Sequence, residues 1–225
     1  MLDSLFVALG YGLCHQLPER SFIAGGHQLP VCARDTGIYV GFAIALFVLW
    51  VLSRGRRPVE LPRWPVLVLL GLFVSSMAFD GLTSYAGLRP TTNELRLATG
   101  LATGWALATI TLPMLNAQLW TRYGNGRVLE TVTDTTVWLA ALPVAYAVSW
   151  WVLPATGVLY PLLLSAAIIG VFITVNLVLV TLLPPFERKA DRLRDAWLPI
   201  VIAGALAAAE IGGAALLRNF AERML

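Results

Sequence analysis

The chain has 225 residues, of which 58% are hydrophobic and only 13% charged, and its mean hydropathy is +0.74. A soluble domain carries about 25% charged residues, so the polar surface of a soluble enzyme is missing, and two cysteines with little low-complexity sequence exclude a disulfide-dense module and a disordered chain. An integral membrane protein remains.

Leu2 to Leu13 is apolar but too short to cross a bilayer. It has no basic n-region and no small-residue cleavage site, so it reads as a short helix at the interface and not as a signal peptide. Longer apolar windows follow, on the scale of the ~20 residues that cross a ~30 Å hydrocarbon core. They run from about Gly37 to Ser53, Trp64 to Phe79, Leu95 to Leu115, Val132 to Leu153, Val158 to Leu183 and Trp197 to Leu217. Helices are expected, because a helix satisfies its own backbone in lipid. The alternating pattern of a membrane barrel is absent. The expected fold is an all-α membrane bundle of six spans in one domain over 1–225, with an interfacial helix and polar loop in 1–36.

Basic residues suggest an orientation. Ten of the sixteen follow the first, third and fifth spans: Arg54, Arg56, Arg57, Arg63, Arg122, Arg127, Arg188, Lys189, Arg192 and Arg194. Positive loops stay in the cytoplasm, which puts both termini outside it in a multi-pass protein of the cell membrane. The net charge of +3 and pI near 9.1 follow from this pattern and need no nucleic-acid partner. Gly204, Ala208 and Gly212 in the sixth span, and Gly100 and Gly104 in the third, form small-residue rows that let helices approach and offer faces for oligomerisation. Trp50, Trp64, Trp120, Trp150, Trp151 and Trp197 fall near span ends, as an aromatic belt does.

The remaining polar residues are unevenly placed. Both histidines and both cysteines of the chain, His15, His27, Cys14 and Cys32, lie within positions 14–32, beside Arg20, Arg34 and Asp35. A second cluster, Asp80 and Arg89 to Arg96 with Asn93, follows the second span and faces the same side. Asp80 stands at a helix C-terminus, where the dipole disfavours a carboxylate, so it needs a partner or ligand. Asp35 or Thr36 is expected to cap the first span, and Thr91 with Glu94 to form a capping box before the third. Glu210 lies inside the sixth span and should have a partner, with Arg96 and Arg34 nearest in depth.

Three readings of the cysteines stand open. Cys14 and Cys32 form a structural disulfide; or they ligate a transition metal with His15, His27 or Asp35; or they are a thiol pair activated by Arg20 and Arg34. In the leading reading the site lies at the extracytoplasmic mouth, walled by the first, second, third and sixth spans. Cys14 and Cys32 are its soft ligands, His15 is the preferred imidazole with His27 as substitute, and Asp35 is a fourth ligand. Zinc suits such a set, and copper or iron is an alternative. Asp80, Asn93, Arg96, Arg20, Arg34 and Glu210 support it or hold an anionic or lipid-linked substrate, and an open metal position allows hydrolysis. A transporter with Glu210 as ion site, and an assembly subunit keeping only the disulfide, are the rival functions.

Cys14-His15-Gln16, Pro18, Arg20-Ser21, Leu29-Pro30-Val31-Cys32-Ala33-Arg34 and Thr36-Gly37 together resemble a prokaryotic membrane family, domain of unknown function 2085. Phe79-Asp80-Gly81, Thr92-Asn93, Leu95-Arg96 and Thr99-Gly100 resemble its second signature, and the resemblance covers roughly 14–104. It implies a small multi-span membrane protein and carries no activity with it. One departure is chemical: the family pattern has a third cysteine where this chain has Asp35. An aspartate ligates through harder oxygen and forms no disulfide.

Overall fold

The computed structural model describes residues 2–224. The outermost residues of the expected 1–225 domain, and with them the termini assigned a side above, lie outside the described residues. Six helices are long and apolar enough to cross a membrane. The first span is Ala33–Ser53, the second Trp64–Tyr85, the third Asn93–Leu119, the fourth Val132–Ala155, the fifth Leu159–Thr181 and the sixth Leu193–Met224. A shorter apolar helix, Leu2–Tyr11, precedes them. The all-α membrane bundle expected from hydropathy is the fold observed.

Two helix starts differ from expectation. The first span begins at Ala33 after Cys32, whose side chain makes no capping bond. Asp35 and Thr36 are therefore not caps; they lie within the first turn, where Thr36 Oγ1 donates to the Val31 carbonyl at 3.4 Å. Hydropathy misses this turn because Arg34 and Asp35 are charged; Arg34 takes its partner, Asp80, from the second span, and Asp35 is met by Cys32 just before the turn. The third span is capped by Thr92, whose Oγ1 accepts from Leu95 N–H at 3.4 Å. Thr91 is not the cap, because its hydroxyl is drawn away to Asp80.

The first and third spans pack backbone to backbone. A Cβ on Gly37 would lie 2.5 Å from the Leu97 carbonyl oxygen, and one on Gly41 would lie 2.6 Å from that of Leu101. A Cβ on Gly100 or Gly104 would overlap the carbonyls of Arg34 and Ile38. Glycine is required here for closeness, which is how helices gain contact without a hydrophobic drive in lipid. Around this pair Phe42, Trp105 and Trp138 are fully buried. The row in the sixth span behaves otherwise: a Cβ on Gly204 or Gly212 meets nothing within 4 Å.

The ends of the bundle are built differently. At the basic end, Pro58–Glu60 pairs in parallel with Gly124–Arg127. Arg57 lies 3.8 Å over the Trp120 ring and donates to the carbonyls of Arg122 and Asp191. It thus ties the three basic loops together. At the polar end, Ile23–Ala24 and His27–Gln28 form a small antiparallel hairpin. Its turn uses Gly25 and Gly26 at φ of +58° and +80°, conformations that glycine adopts freely.

Candidate metal centre

The segment carrying Cys14 is anchored by its own polar residues. Gln16, at φ +55°, donates from Nε2 to the carbonyls of Val7 and Pro30 at 3.1 and 2.8 Å. Gln28 Nε2 returns a bond to the Gln16 carbonyl at 2.8 Å. The sixth span reaches over this segment. Arg218 Nη1 donates to the carbonyls of Tyr11 and Cys14 at 2.6 and 2.7 Å. Its Nε donates to Glu222, which also accepts from the Tyr11 hydroxyl at 2.6 Å.

Held this way, Cys14 meets the start of the first span. Cys14 Sγ accepts from the Cys32 N–H at 3.3 Å, and Cys32 Sγ donates to Asp35 Oδ2 at 3.3 Å. The ligand atoms of Cys14, Cys32 and Asp35 all lie within 4.8 Å of one another, each residue half-buried. Both cysteines are free thiols. The hydrogen bond from the Cys32 side chain lowers the Cys14 pKa to about 7, against the opposing effect of burial. Cys32 is pushed up, first by its bond to Cys14 and then by burial and the Asp35 charge. The two shifts run in opposite directions, so of the pair Cys14 gives up its proton the more readily.

The group opens into a cleft of about 270 Å³ lined among others by His15, Arg20, Arg34 and Tyr85. His15 is exposed and also lines an adjoining cleft of about 290 Å³, whose far wall is Arg218 and Glu222. His27 is placed elsewhere. Its Nδ1 is 2.5 Å from Asp3 Oδ1, and its ring stands edge-on to Phe6. The hairpin turns it toward the N-terminal helix, so it is not part of the cluster expected from sequence proximity.

The second polar cluster braces the first. Asp80 is 1% exposed and accepts from Arg34 Nη2 at 2.5 Å, Arg89 Nη2 at 2.7 Å and Thr91 Oγ1 at 2.8 Å. The second span runs on to Tyr85, so Asp80 lies more than a turn inside it and not at its end as expected, and three donors satisfy its buried carboxylate. Asn93 Nδ2 donates to the Glu19 carbonyl at 3.2 Å and its Oδ1 accepts from Arg96. Of the expected walls, the first and second spans line the main cleft and the sixth lines the adjoining one, whereas the third acts through Asn93 and Arg96. Glu210 is not at the site: its Oε2 accepts from Asn176 Nδ2 at 2.8 Å, and neither Arg96 nor Arg34 reaches it. Arg89 and Thr91 belong to the second polar cluster of the sequence, Thr91 there as a capping residue, whereas Tyr85 and Arg218 lie outside both clusters. The Arg89 and Thr91 contacts had a signal in the misplaced carboxylate of Asp80; Arg218 had none.

Comparison with known proteins places these residues in a shared frame. A family model described as "Predicted membrane protein (DUF2085)" matches residues 14–110, from Cys14 through Asp80, Asn93 and Arg96. "Uncharacterized protein MJ1492" of Methanocaldococcus jannaschii is 33% identical over 112 residues, which are 49% of this chain and 69% of that protein. An "Uncharacterized protein" of Methanothermobacter thermautotrophicus is 40% identical over 100 residues, 44% of this chain and 84% of that one. No solved structure matches the chain. With both polar motifs inside the match and archaeal relatives aligned over most of their own length, the chain belongs to the DUF2085 family of predicted membrane proteins.

Proposed function

We propose that this membrane protein binds a transition-metal ion, zinc before copper(I) or iron, through Cys14, Cys32 and Asp35, with His15 as the fourth ligand. The observation that carries this reading is the approach of the three ligand atoms to within 4.8 Å of one another. A tetrahedral zinc with ligands at about 2.0–2.3 Å separates them by roughly 3.5–4 Å. Small side-chain adjustments therefore suffice. Two thiols and an imidazole favour a borderline-soft ion, and Asp35 adds a harder oxygen. The basic loops at the opposite end support an extracytoplasmic face for the site, by the positive-inside rule. With only three of these residues bound, a zinc ion would keep a position open to the cleft and would supply a Lewis acid and a water of lowered pKa, the chemistry that hydrolyses an exported or lipid-linked substrate.

The test is elemental analysis of the purified, detergent-solubilised chain, with thiols counted in parallel. Roughly one metal per chain is expected, as for a single mononuclear site. Cys14→Ser and Cys32→Ser should each remove it, and His15→Ala should weaken it. His27→Ala should leave it unchanged, because that imidazole is engaged with Asp3. A protein that holds no metal after incubation with zinc, copper(I) or iron(II), or one whose two thiols are missing, overturns the reading.

A further inference from the structure

Four arginines converge on the polar end, and the carboxylates do not match them. Asp80 pairs with Arg34 and Arg89. Arg20 and Arg96 make no ion pair among the described residues. Arg20 rests its guanidinium 5.9 Å from the centre of the Tyr85 ring. Arg96 is only 9% exposed, and its hydrogen-bonding partner is the neutral amide of Asn93. Arg20 and Arg34 stand close enough to repel it, with Asp80 offsetting part of that repulsion. Arg34 adds a buried Nε that has no hydrogen-bond partner among the described residues. Burying an uncompensated cation is costly, and an orphaned buried donor adds to the cost. Arg20 and Arg34 stand in the wall of one cleft of about 270 Å³, and Arg96 lies behind that wall, near enough to feel both charges.

We infer that this cleft takes a phosphate group, free or carried on a lipid, held by Arg20 and Arg34 with the buried charge of Arg96 behind them. Guanidinium groups pair with phosphate bidentately. A phosphate presents three or more acceptor oxygens, enough for donors arriving from separate elements. Arg20 comes from the turn Pro18–Arg20 and Arg34 from the first turn of the first span. A carboxylate has two oxygens and satisfies fewer of these donors. The start of that helix adds its positive dipole end. The inference rests on the metal reading at one point: a bound dication offsets Cys14, Cys32 and Asp35, which leaves the arginines to act on the ligand.

The experiment is isothermal titration of the zinc-loaded, full-length protein in phosphate-free detergent. The probes are inorganic phosphate, dihexanoyl phosphatidic acid and, as a carboxylate control, acetate. Metal content is measured on the same samples. Saturable binding of at least one phosphate probe is expected, weakened about tenfold or more by Arg20→Gln, the scale of losing hydrogen bonds to a charged group. Arg20 makes no ion pair among the described residues, so this change should leave fold and metal content intact. Binding of the lipid probe alone assigns the phosphate to a lipid; binding of inorganic phosphate assigns it to a soluble ligand. Failure of both to saturate, equal binding of acetate, or an Arg20→Gln protein that binds as tightly as the parent overturns the inference. Arg20-dependent phosphate binding without metal supports it and overturns the metal reading alone.

Discussion

Arg34, in the first turn of the first span, donates to Asp80 near the end of the second at 2.5 Å, and 14% of the arginine side chain and 1% of the aspartate remain exposed. The pair joins the two polar motifs of the family. It also holds Arg34 in the wall of the cleft that Cys14 and Asp35 share.

Removing one partner of this pair should be severe. Asp80→Ala leaves Arg34 and Arg89 without their carboxylate and Thr91 without its acceptor. Breaking a buried pair from one side costs about 3–5 kcal/mol. A loss of that size is expected in reversible unfolding in mixed micelles. A change below about 0.5 kcal/mol, typical of an unconstrained surface site, would show that the pair is not held as described.

The glycine contacts predict an asymmetry between two similar rows. Gly100→Ala and Gly104→Ala drive a methyl group into the carbonyls of Arg34 and Ile38. Overpacking of this kind costs about 1–3 kcal/mol or more. Gly204→Ala and Gly212→Ala meet open space and should be neutral or slightly stabilising. Thermal melting of the four variants in one detergent tests this, and equal melting temperatures would contradict the packing.

Cys14 should react as a thiolate near neutral pH. Its pKa is lowered to about 7 chiefly by the Cys32 side chain. After chelation, alkylation of the Cys32→Ala protein should need a higher pH than alkylation of Cys14 in the parent. The sign follows from the cause: without the Cys32 thiol the thiolate loses its main donor, its pKa rises, and the half-maximal rate moves up. In Cys14→Ser, Cys32 should stay poorly reactive around pH 7 because burial and Asp35 still hold its pKa up. A pH–rate profile of iodoacetamide labelling that is the same for Cys14 in both proteins would remove Cys32 as the cause.

Asp35→Cys supplies a third thiol to the cluster of Cys14 and Cys32. Three thiolates shift preference toward softer ions. Tighter cadmium binding is expected, with a stronger sulfur-to-metal charge-transfer band than in the parent. An unchanged band on cadmium titration would mean that position 35 does not face the ion.

Much of this was legible in the chain because it is local. The spans follow from hydropathy, and the concentration of cysteine and histidine within 14–32 marked the polar end. The misplaced carboxylate of Asp80 announced that it had partners, although not which. The failures share a cause. His27 was grouped with the cysteines by nearness along the chain, whereas the Gly25-Gly26 turn carries it to Asp3. Glu210 was matched by depth to arginines that are already engaged, and it takes the neutral Asn176 instead. Arg218 makes its contacts across 204 and 207 positions, and no periodicity reports a contact of that range.

That long reach also sets a timetable for the chain. The stretch bearing Cys14 is made before any of the six spans, yet the guanidinium that grips the Tyr11 and Cys14 carbonyls is translated more than two hundred residues later. At about 5–20 residues per second, the interval is roughly 10–40 s. Throughout it, the early segment waits for its latch while five spans enter the bilayer. Closure of the last helix over the first thus comes late: a chain that stalls or inserts its final span the wrong way round keeps Cys14 on the Gln16 and Gln28 bonds alone, without the grip of Arg218.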